Sequence, residues 1–159
     1  MWGRHGAAGL FLLAGQAGQD LGEWRLLLQH RAQWTNNGGT WALPGGARDS
    51  HESVAEAALR ESGEEAGIAP ADVEVLHSEV TAGPFSADPE RGDLAGGWTY
   101  TTVIARCVAG APLDTVANEE SVELRWVPLH EVTELPLMPA FRSAWPRLRG
   151  LLADVVGTH

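Results

Sequence analysis

The stretch that decides the fold runs from Gly45 to Ile68, GGARDSHESVAEAALRESGEEAGI. Ser53 with Glu56 three residues later forms a capping box, which marks the first turn of a helix. Gly67 stands where many helices end on a glycine in the left-handed conformation. The sequence therefore predicts a helix between these two caps. Before it, two adjacent glycines allow the backbone to turn sharply or to approach a ligand closely.

The second half of this predicted helix carries three glutamates, Glu61, Glu64 and Glu65. Glutamates three or four residues apart share one helix face, and each like-charged pair destabilises the helix by roughly 0.2–0.5 kcal/mol. Hard cations such as Mg²⁺ bind carboxylate and carbonyl oxygens, so bound cations would offset this repulsion. By spacing alone, a solvated acidic face explains the glutamates as well as a metal site does.

The other side of the same helix carries small or apolar residues, which makes the helix amphipathic. The residues predicted to face the core are Ala55, Ala58, Leu59, Ser62 and Ala66. Ala57 is predicted to share the opposite face with the three glutamates.

The composition indicates an ordinary globular protein, since 44% of the 159 residues are hydrophobic and 20% are charged. This length fits a single domain over residues 1–159. The formal net charge of −10 argues against a nucleic-acid duplex or an anionic membrane as partner. A small phosphorylated ligand remains compatible with that charge if metal cations stand between the two.

The apolar run at residues 7–14 loosely resembles a secretory signal, but it fits a buried first strand equally well, and we expect a cytoplasmic protein. No stretch is long enough to span a bilayer. The single cysteine, Cys107, excludes an internal disulfide and is predicted to be buried and reduced.

Strands are predicted at residues 5–14, 23–29, 41–43, 73–80, 98–108 and 122–127, with loops at 83–97 and 110–121. A second helix is predicted over residues 139–152. Pro146 lies inside it and predicts a kink or a later start. Mixed strands and helices of this kind indicate the α/β class.

The spacing of residues 46–68 resembles the box of the Nudix hydrolase family, GX5EX7REUXEEXGU, where U is aliphatic. The positions that match are Gly46, Glu52, Arg60, Glu61, Glu64, Glu65, Gly67 and Ile68. The resemblance implies the Nudix fold, an α/β/α sandwich with a central mixed β-sheet. One position departs, because Ser62 stands where the family has an aliphatic residue. We expect its hydroxyl to bond back to the carbonyl of Ala58.

The resemblance also implies a set of catalytic and metal-binding residues, with Mg²⁺ or Mn²⁺ as the cofactor. The metal ligands implied are the Gly45 carbonyl, Glu61, Glu64, Glu65 and Glu120. Arg60 would orient the carboxylates through ion pairs, and Glu52 would lie at the edge of the metal site. Glu120 is the first choice for a further ligand or general base, and Glu119 the second.

Substrate-binding candidates lie outside the box. Arg31 is expected to contact a phosphate or a base, with a plain surface arginine as the alternative. The aromatic candidates for stacking on a base are Trp34, Phe85, Trp98 and Tyr100. The alternative for each of them is core packing.

The whole chain is similar to the short mutator-type (MutT-like) nucleotide-pool enzymes of this family, particularly actinobacterial ones. The segments that carry this likeness are HRAQW, GGTWALPGGARDSHES, WTYTTV and ELRWVP. It implies hydrolysis of a (d)NTP, oxidised forms included, to the monophosphate and pyrophosphate. The alternatives are a pyrophosphatase for ADP-ribose, nucleotide sugars or dinucleoside polyphosphates, and a non-catalytic nucleotide sensor. We expect a monomer or homodimer.

Overall fold

The structure is a computed structural model that describes residues 6–32, 38–49, 51–85, 98–117 and 121–157. Its strands are β1 (Ala7–Ala14), β2 (Arg25–Arg31), β3 (Trp41–Ala42), β4 (Gly45–Ala47), β5 (Val73–Phe85), β6 (Trp98–Cys107) and β7 (Ser121–Pro128). The two α-helices are α1 (Val54–Ala66) and α2 (Pro139–Gly157). Short 3₁₀ segments lie at Leu21–Glu23, Pro70–Asp72 and Leu129–Glu134.

The strands form one mixed sheet in the order β3-β2-β1-β6-β5. The central pair, β1 and β6, is parallel, whereas β1 pairs antiparallel with β2 and with β4. Strand β7 pairs with β2, also antiparallel. Strand β4 pairs with the beginning of β1, where Gly45 lies opposite Gly9.

Strand β1 separates two core layers, because alternate side chains of a strand point to opposite faces of the sheet. Phe11 and Leu13 belong to the layer that contains Phe141 and Trp145 of α2. The neighbouring leucines and Ala8 belong to the layer that contains the alanines of α1. A mixed sheet with a helix packed on each face is the predicted α/β/α sandwich, which is thereby confirmed.

Most predicted elements are present, and they differ from the prediction mainly in their bounds. Residues 21–23 form a 3₁₀ turn, so the second strand begins at Arg25 rather than at residue 23. Gly45 and Gly46 lie in strand β4 instead of an open turn, and β5 extends to Phe85 into the predicted loop. Helix α2 begins at Pro139 and continues through Pro146, so a later start was wrong. Apolar packing on both sides of the proline, by Trp145 and Leu148, stabilises the helix there.

Helix α1 packs more of its surface than its sequence pattern indicated. Ala58, Ser62 and Ala66 are buried as predicted. Ala57 and Glu65 are buried too, although both were predicted on the outer face. The reason is that β4 and β1 flank the helix together, so the face it covers is wider than that of a helix lying on one strand.

Cys107 is a buried free cysteine, as predicted. Among the helices of the described residues, none combines the length and the apolar character needed to cross a membrane.

Candidate active site

Helix α1 is held at both ends by the caps that its sequence predicts. The Ser53 hydroxyl accepts a hydrogen bond from Glu56 N at 3.1 Å, and the Glu56 carboxylate accepts one from Ser53 N at 2.9 Å. At the other end Gly67 has φ 73° and donates to the Gly63 carbonyl. The two caps fix where the helix begins and ends, and therefore where its glutamates stand relative to β4.

The Glu61 carboxylate rests on Gly46. A β-carbon at position 46 would lie 2.6 Å from Glu61 Cδ and 2.8 Å from both carboxylate oxygens. Any other residue here would therefore push Glu61 away from the strand. The glycine of the box is required for the close approach of a carboxylate from the same chain.

The Glu65 carboxylate is hydrogen-bonded to the backbone of Gly45, the residue before Gly46. Gly45 N donates to Glu65 Oε2 at 2.9 Å, and Glu65 is only 5% exposed. Gly45 has its own steric reason, since a β-carbon there would lie 2.6 Å from the Cα of Gly9 in β1. Two consecutive glycines thus contact two carboxylates of α1: Gly46 packs against Glu61, and Gly45 donates a hydrogen bond to Glu65.

Arg60 connects the carboxylates of this region. Its Nε donates to Glu52 Oε2 at 2.7 Å and its Nη2 to Glu52 Oε1 at 3.0 Å, a bidentate pair. Its Nη1 donates to Glu61 Oε1 at 3.0 Å and lies 3.5 Å from Glu64 Oε1. The Ala47 carbonyl accepts a further bond from Nη2 at 3.0 Å. One guanidinium therefore holds three glutamates and the end of β4 together, as the predicted orienting role requires.

The ion pairs shift the pKa values of both partners in the expected directions. Hydrogen bonding from Arg60 lowers the pKa of Glu52 to about 2. The same bond raises the pKa of Arg60 above its ordinary value. Glu52 is therefore ionised throughout the neutral range, and its ion pair with Arg60 persists there.

Glu61, Glu64 and Glu65 do not converge on a single point. Within the described residues, no three carboxylate, histidine or cysteine side chains are arranged to hold one metal ion. The geometric reason is that Arg60 Nη1 bonds Glu61 and approaches Glu64, while Glu65 bonds Gly45 N.

The donors still fit a hard divalent cation by their chemistry. Glu61 and Glu65 offer carboxylate oxygens beside a backbone that carries no β-carbons. No soft sulfur ligand is part of this set of donors.

Ser62, the position that departs from the box, is satisfied within the helix. Its hydroxyl donates to the Ala58 carbonyl at 2.7 Å, as predicted, and the residue is fully buried. The core cluster on this face of the sheet includes the α1 residues Ala57, Ala58 and Ala66. A small polar residue therefore fits where the layer is packed closely.

The remaining predicted site residues are placed only in part. Arg31 ends β2 opposite Ser121, and its N and O bond the Thr40 carbonyl and Gly39 N at 2.9 Å each. Burial first, and then the charge of Glu65, raise the pKa of Tyr100 above its ordinary value, while the Arg31 charge opposes that shift. Tyr100 thus lies within electrostatic range of both Glu65 and Arg31.

Other predicted positions lie wholly or partly beyond what the structure describes. Phe85 and Trp98 pair through their backbones at the end of the β5–β6 ladder, but their side chains lie outside the described part of the structure. Trp34, Glu119 and Glu120 lie outside the described residues altogether.

A model of the NUDIX domain family matches residues 3–148 of the chain. The chain belongs to the Nudix family. The resemblance predicted from the Nudix box is thereby confirmed, and so is the hydrolase class at the level of the family. Nudix hydrolases generally use a divalent metal ion.

Two curated Nudix relatives and one solved Nudix structure are similar over most of this chain. A Mycobacterium tuberculosis protein named "Putative 8-oxo-dGTP diphosphatase 3" is 52% identical over 97% of this chain and 66% of its own length. The Escherichia coli nucleoside triphosphatase NudI is 34% identical over 72% of this chain and 79% of its own. The crystal structure of the M. smegmatis Nudix hydrolase RenU is 49% identical with a TM-score of 0.84, covering 98% of this chain and 89% of that one. The chain thus spans just under two thirds of the length of the M. tuberculosis protein.

Sequence reasoning missed three contacts that glycines make in this Nudix domain. It predicted a sharp turn or a close approach to a ligand at Gly45 and Gly46, whereas in the structure these glycines contact the Glu65 and Glu61 carboxylates. It also passed over Gly9, on which the Tyr100 hydroxyl rests. The available signal was a glycine in the middle of an otherwise apolar strand, which often marks a close approach of another group.

Proposed function

We propose that this chain hydrolyses a nucleoside triphosphate to the monophosphate and pyrophosphate, with Mg²⁺ or Mn²⁺ as the cofactor. The proposal rests on two contacts of α1 with β4. The Glu61 carboxylate packs against Gly46, and the Glu65 carboxylate accepts a hydrogen bond from Gly45 N. Two carboxylates held against a bare backbone, in a protein of net charge −10, form a site that needs cations before a polyphosphate can approach. The names of the M. tuberculosis and E. coli relatives support a nucleoside triphosphate as substrate.

The residues that would hold the cations are Glu61, Glu64, Glu65 and the Gly45 carbonyl. When bound, divalent ions neutralise phosphate charge and lower the pKa of a bound water. Arg60 would keep Glu61 in place from the side away from the substrate, since its other bonds go to Glu52 and the end of β4.

Glu120 is proposed as the further ligand or the base that accepts a proton from the attacking water, with Glu119 as the second choice. The described residues on either side support this placement. Val116 N donates to the Ala66 carbonyl at the end of α1, at 2.9 Å. Ser121 lies opposite Arg31 in the β2–β7 ladder. The described residues before and after position 120 therefore contact the end of α1 and lie opposite Arg31.

Arg31 is proposed to bind a phosphate or the base, because it stands where β2, β3 and β7 meet. A cation at this point, within electrostatic range of Tyr100, would attract an anionic ligand to an otherwise acidic protein. Trp34, Phe85, Trp98 and Tyr100 stay proposals for stacking on the base. We also propose a single domain that acts as a monomer or homodimer.

The decisive experiment is a release assay over a panel of substrates with Mg²⁺ and with Mn²⁺. The panel contains (d)NTPs, oxidised dNTPs led by 8-oxo-dGTP, ADP-ribose, nucleotide sugars and dinucleoside polyphosphates. Pyrophosphate and orthophosphate are detected separately, because only pyrophosphate is the expected product from a triphosphate.

Two variants make the assay specific for the proposed site. Glu65→Gln removes one charge at the site and is expected to lower turnover by about 100-fold or more. Glu134→Gln makes the same charge change at an exposed position of a 3₁₀ segment and is expected to leave turnover unchanged. Preferred turnover of ADP-ribose or a dinucleoside polyphosphate would replace the proposed substrate with the corresponding alternative. Nucleotide binding without metal and without any turnover would instead support the sensor.

A further inference from the structure

Gly9 is an unexpected residue in its strand. Every residue of β1 is buried, and all the others are alanine, leucine or phenylalanine. Glycine weakens a strand interior and often marks a close approach of another group. Here a β-carbon would collide with the Tyr100 hydroxyl and would lie 2.9 Å from Tyr100 Cζ. The hydroxyl therefore occupies the space that a side chain at position 9 would fill.

Tyr100 approaches the strand from the side away from the glutamates. Ala8 and Leu10 pack in the layer of α1, so by strand alternation Gly9 faces the layer of α2. Leu43 of that second layer lies 3.4 Å from the same point. Tyr100 and the α1 glutamates thus reach the pairing of β1 and β4 from opposite faces of the sheet.

An unbroken set of contacts joins Tyr100 to Glu65. The Tyr100 hydroxyl rests on Gly9, and Gly9 lies opposite Gly45 in the β1–β4 ladder. These two backbones are so close that a β-carbon at Gly45 would lie 2.6 Å from the Cα of Gly9. Gly45 N in turn donates to Glu65 Oε2 at 2.9 Å. No side chain separates the hydroxyl from the peptide that holds the carboxylate.

The electrostatics agree with this proximity. The charge of Glu65 adds to burial in raising the pKa of Tyr100. The hydroxyl therefore stays neutral at neutral pH and adds no negative charge to the site.

We propose that Tyr100 is a positioning residue for Glu65. By filling the space over Gly9, its hydroxyl fixes the separation of β1 and β4 and so the place of the Gly45 N–H that holds the carboxylate. The ligand affected is the divalent cation that Glu65 would hold, so the inference rests on the proposed function.

The test measures Mn²⁺ binding to the free full-length protein by electron paramagnetic resonance, with kcat and KM determined separately. Tyr100→Phe keeps the ring and removes only the hydroxyl. It is expected to weaken Mn²⁺ binding and to lower kcat by about 10-fold, with little change in KM. Gly9→Ala is expected to have at least the same effect, because its methyl group displaces the Tyr100 ring.

The double variant Gly9→Ala/Tyr100→Phe supplies the rescue. Its new methyl group takes the space that the hydroxyl leaves, so Mn²⁺ affinity is expected to recover part of the loss caused by Gly9→Ala alone. Cys107→Ala is the matched control, since it truncates a buried residue at the far end of the same strand, β6. It is expected to lower the melting temperature without changing Mn²⁺ affinity.

Mn²⁺ affinity and kcat of Tyr100→Phe within twofold of the wild type would overturn the inference, and so would an equal loss in Cys107→Ala. Glu65→Gln separates this failure from that of the proposed function. If Glu65→Gln binds Mn²⁺ as the wild type does, the proposed metal role of Glu65 fails. If Glu65→Gln loses Mn²⁺ and Tyr100→Phe does not, only the positioning role fails.

Discussion

The Glu61 carboxylate lies against Gly46, with Cδ 2.6 Å from the point that a β-carbon of residue 46 would occupy. Arg60 Nη1 donates a hydrogen bond to the same carboxylate at 3.0 Å. Glu61 is therefore confined between a backbone without a side chain and a cation. This confinement explains in physical terms why the box begins with a glycine fifteen residues before its second acidic position.

Gly46→Ala is expected to lower kcat by about 10-fold with a small effect on stability. The new methyl group meets the end of a side chain rather than backbone, so Glu61 moves and the fold survives. The measurement is kcat with Mg²⁺ on the best substrate of the panel, together with a thermal melt. Gly150→Ala is the matched control, because a β-carbon there would have no atom of the described residues within 4 Å apart from its own stretch of α2. That control is expected to gain about 0.5–1 kcal/mol of stability with kcat unchanged. A wild-type kcat in Gly46→Ala would show that the contact between Gly46 and Glu61 does not matter for catalysis.

Ser62→Ala is expected to change the free energy of unfolding by less than about 1 kcal/mol. The hydroxyl bonds the Ala58 carbonyl, which in a helix also accepts the backbone N–H of residue 62, and alanine is the better helix former. Ser62→Leu restores the aliphatic residue of the box but overpacks a fully buried position, so it is expected to cost about 1–3 kcal/mol. Urea denaturation of both variants measures the two values. A stabilising leucine would contradict the close packing of this layer.

The site could be predicted from sequence only where short-range spacing determines the structure. The capping box at Ser53 and the terminal Gly67 fix α1 within the chain itself, and both were found in advance. The contacts of Glu61 and Glu65 with β4 depend on the pairing of β4 with the beginning of β1, more than 30 residues earlier in the chain. No local pattern contains that pairing, so Gly45 and Gly46 were taken for a turn and Gly9 for an ordinary strand residue.

The burial of α1 was misjudged for a related reason. The helical period places Ala57 and Ala58 on different faces of α1, but it does not determine how much of the helix surface the sheet covers. The structure buries both residues, because β1, β4 and β6 all contact the helix. Glu65 is buried by the same contacts, and the hydrogen bond from Gly45 N helps to stabilise its charge there.

Cys107 is expected to resist thiol reagents as long as the protein is folded. Burial raises the pKa of its thiol to about 11, so at pH 8 only about one thiol in a thousand is ionised. Labelling with a disulfide reagent at pH 8 is therefore expected to be slow in buffer and fast in 6 M guanidinium chloride. Fast, complete labelling of the folded protein would contradict the buried position in β6.

Glu52→Gln is expected to remove a stabilising contribution that depends on pH. The folded pKa of Glu52 is about 2, against an ordinary value of 4.5. A carboxyl group whose pKa is lowered by folding stabilises the folded state above its unfolded pKa, and the contribution is lost as the pH falls. The wild type should therefore lose this contribution between about pH 4.5 and pH 2, whereas Glu52→Gln has none to lose.

The measurement is the free energy of unfolding by urea at pH 7, 5, 3.5 and 2.5. At pH 7 the variant is expected to be less stable by about 1–2 kcal/mol, a value reduced by the partial exposure of Arg60. This difference should shrink as the pH approaches 2.5. Glu74→Gln is the control, since its pair with Arg106 is exposed on the surface and should contribute less than about 1 kcal/mol at any pH. If the difference between wild type and Glu52→Gln stays constant down to pH 2.5, the bidentate bond from Arg60 is not what holds the Glu52 carboxylate ionised.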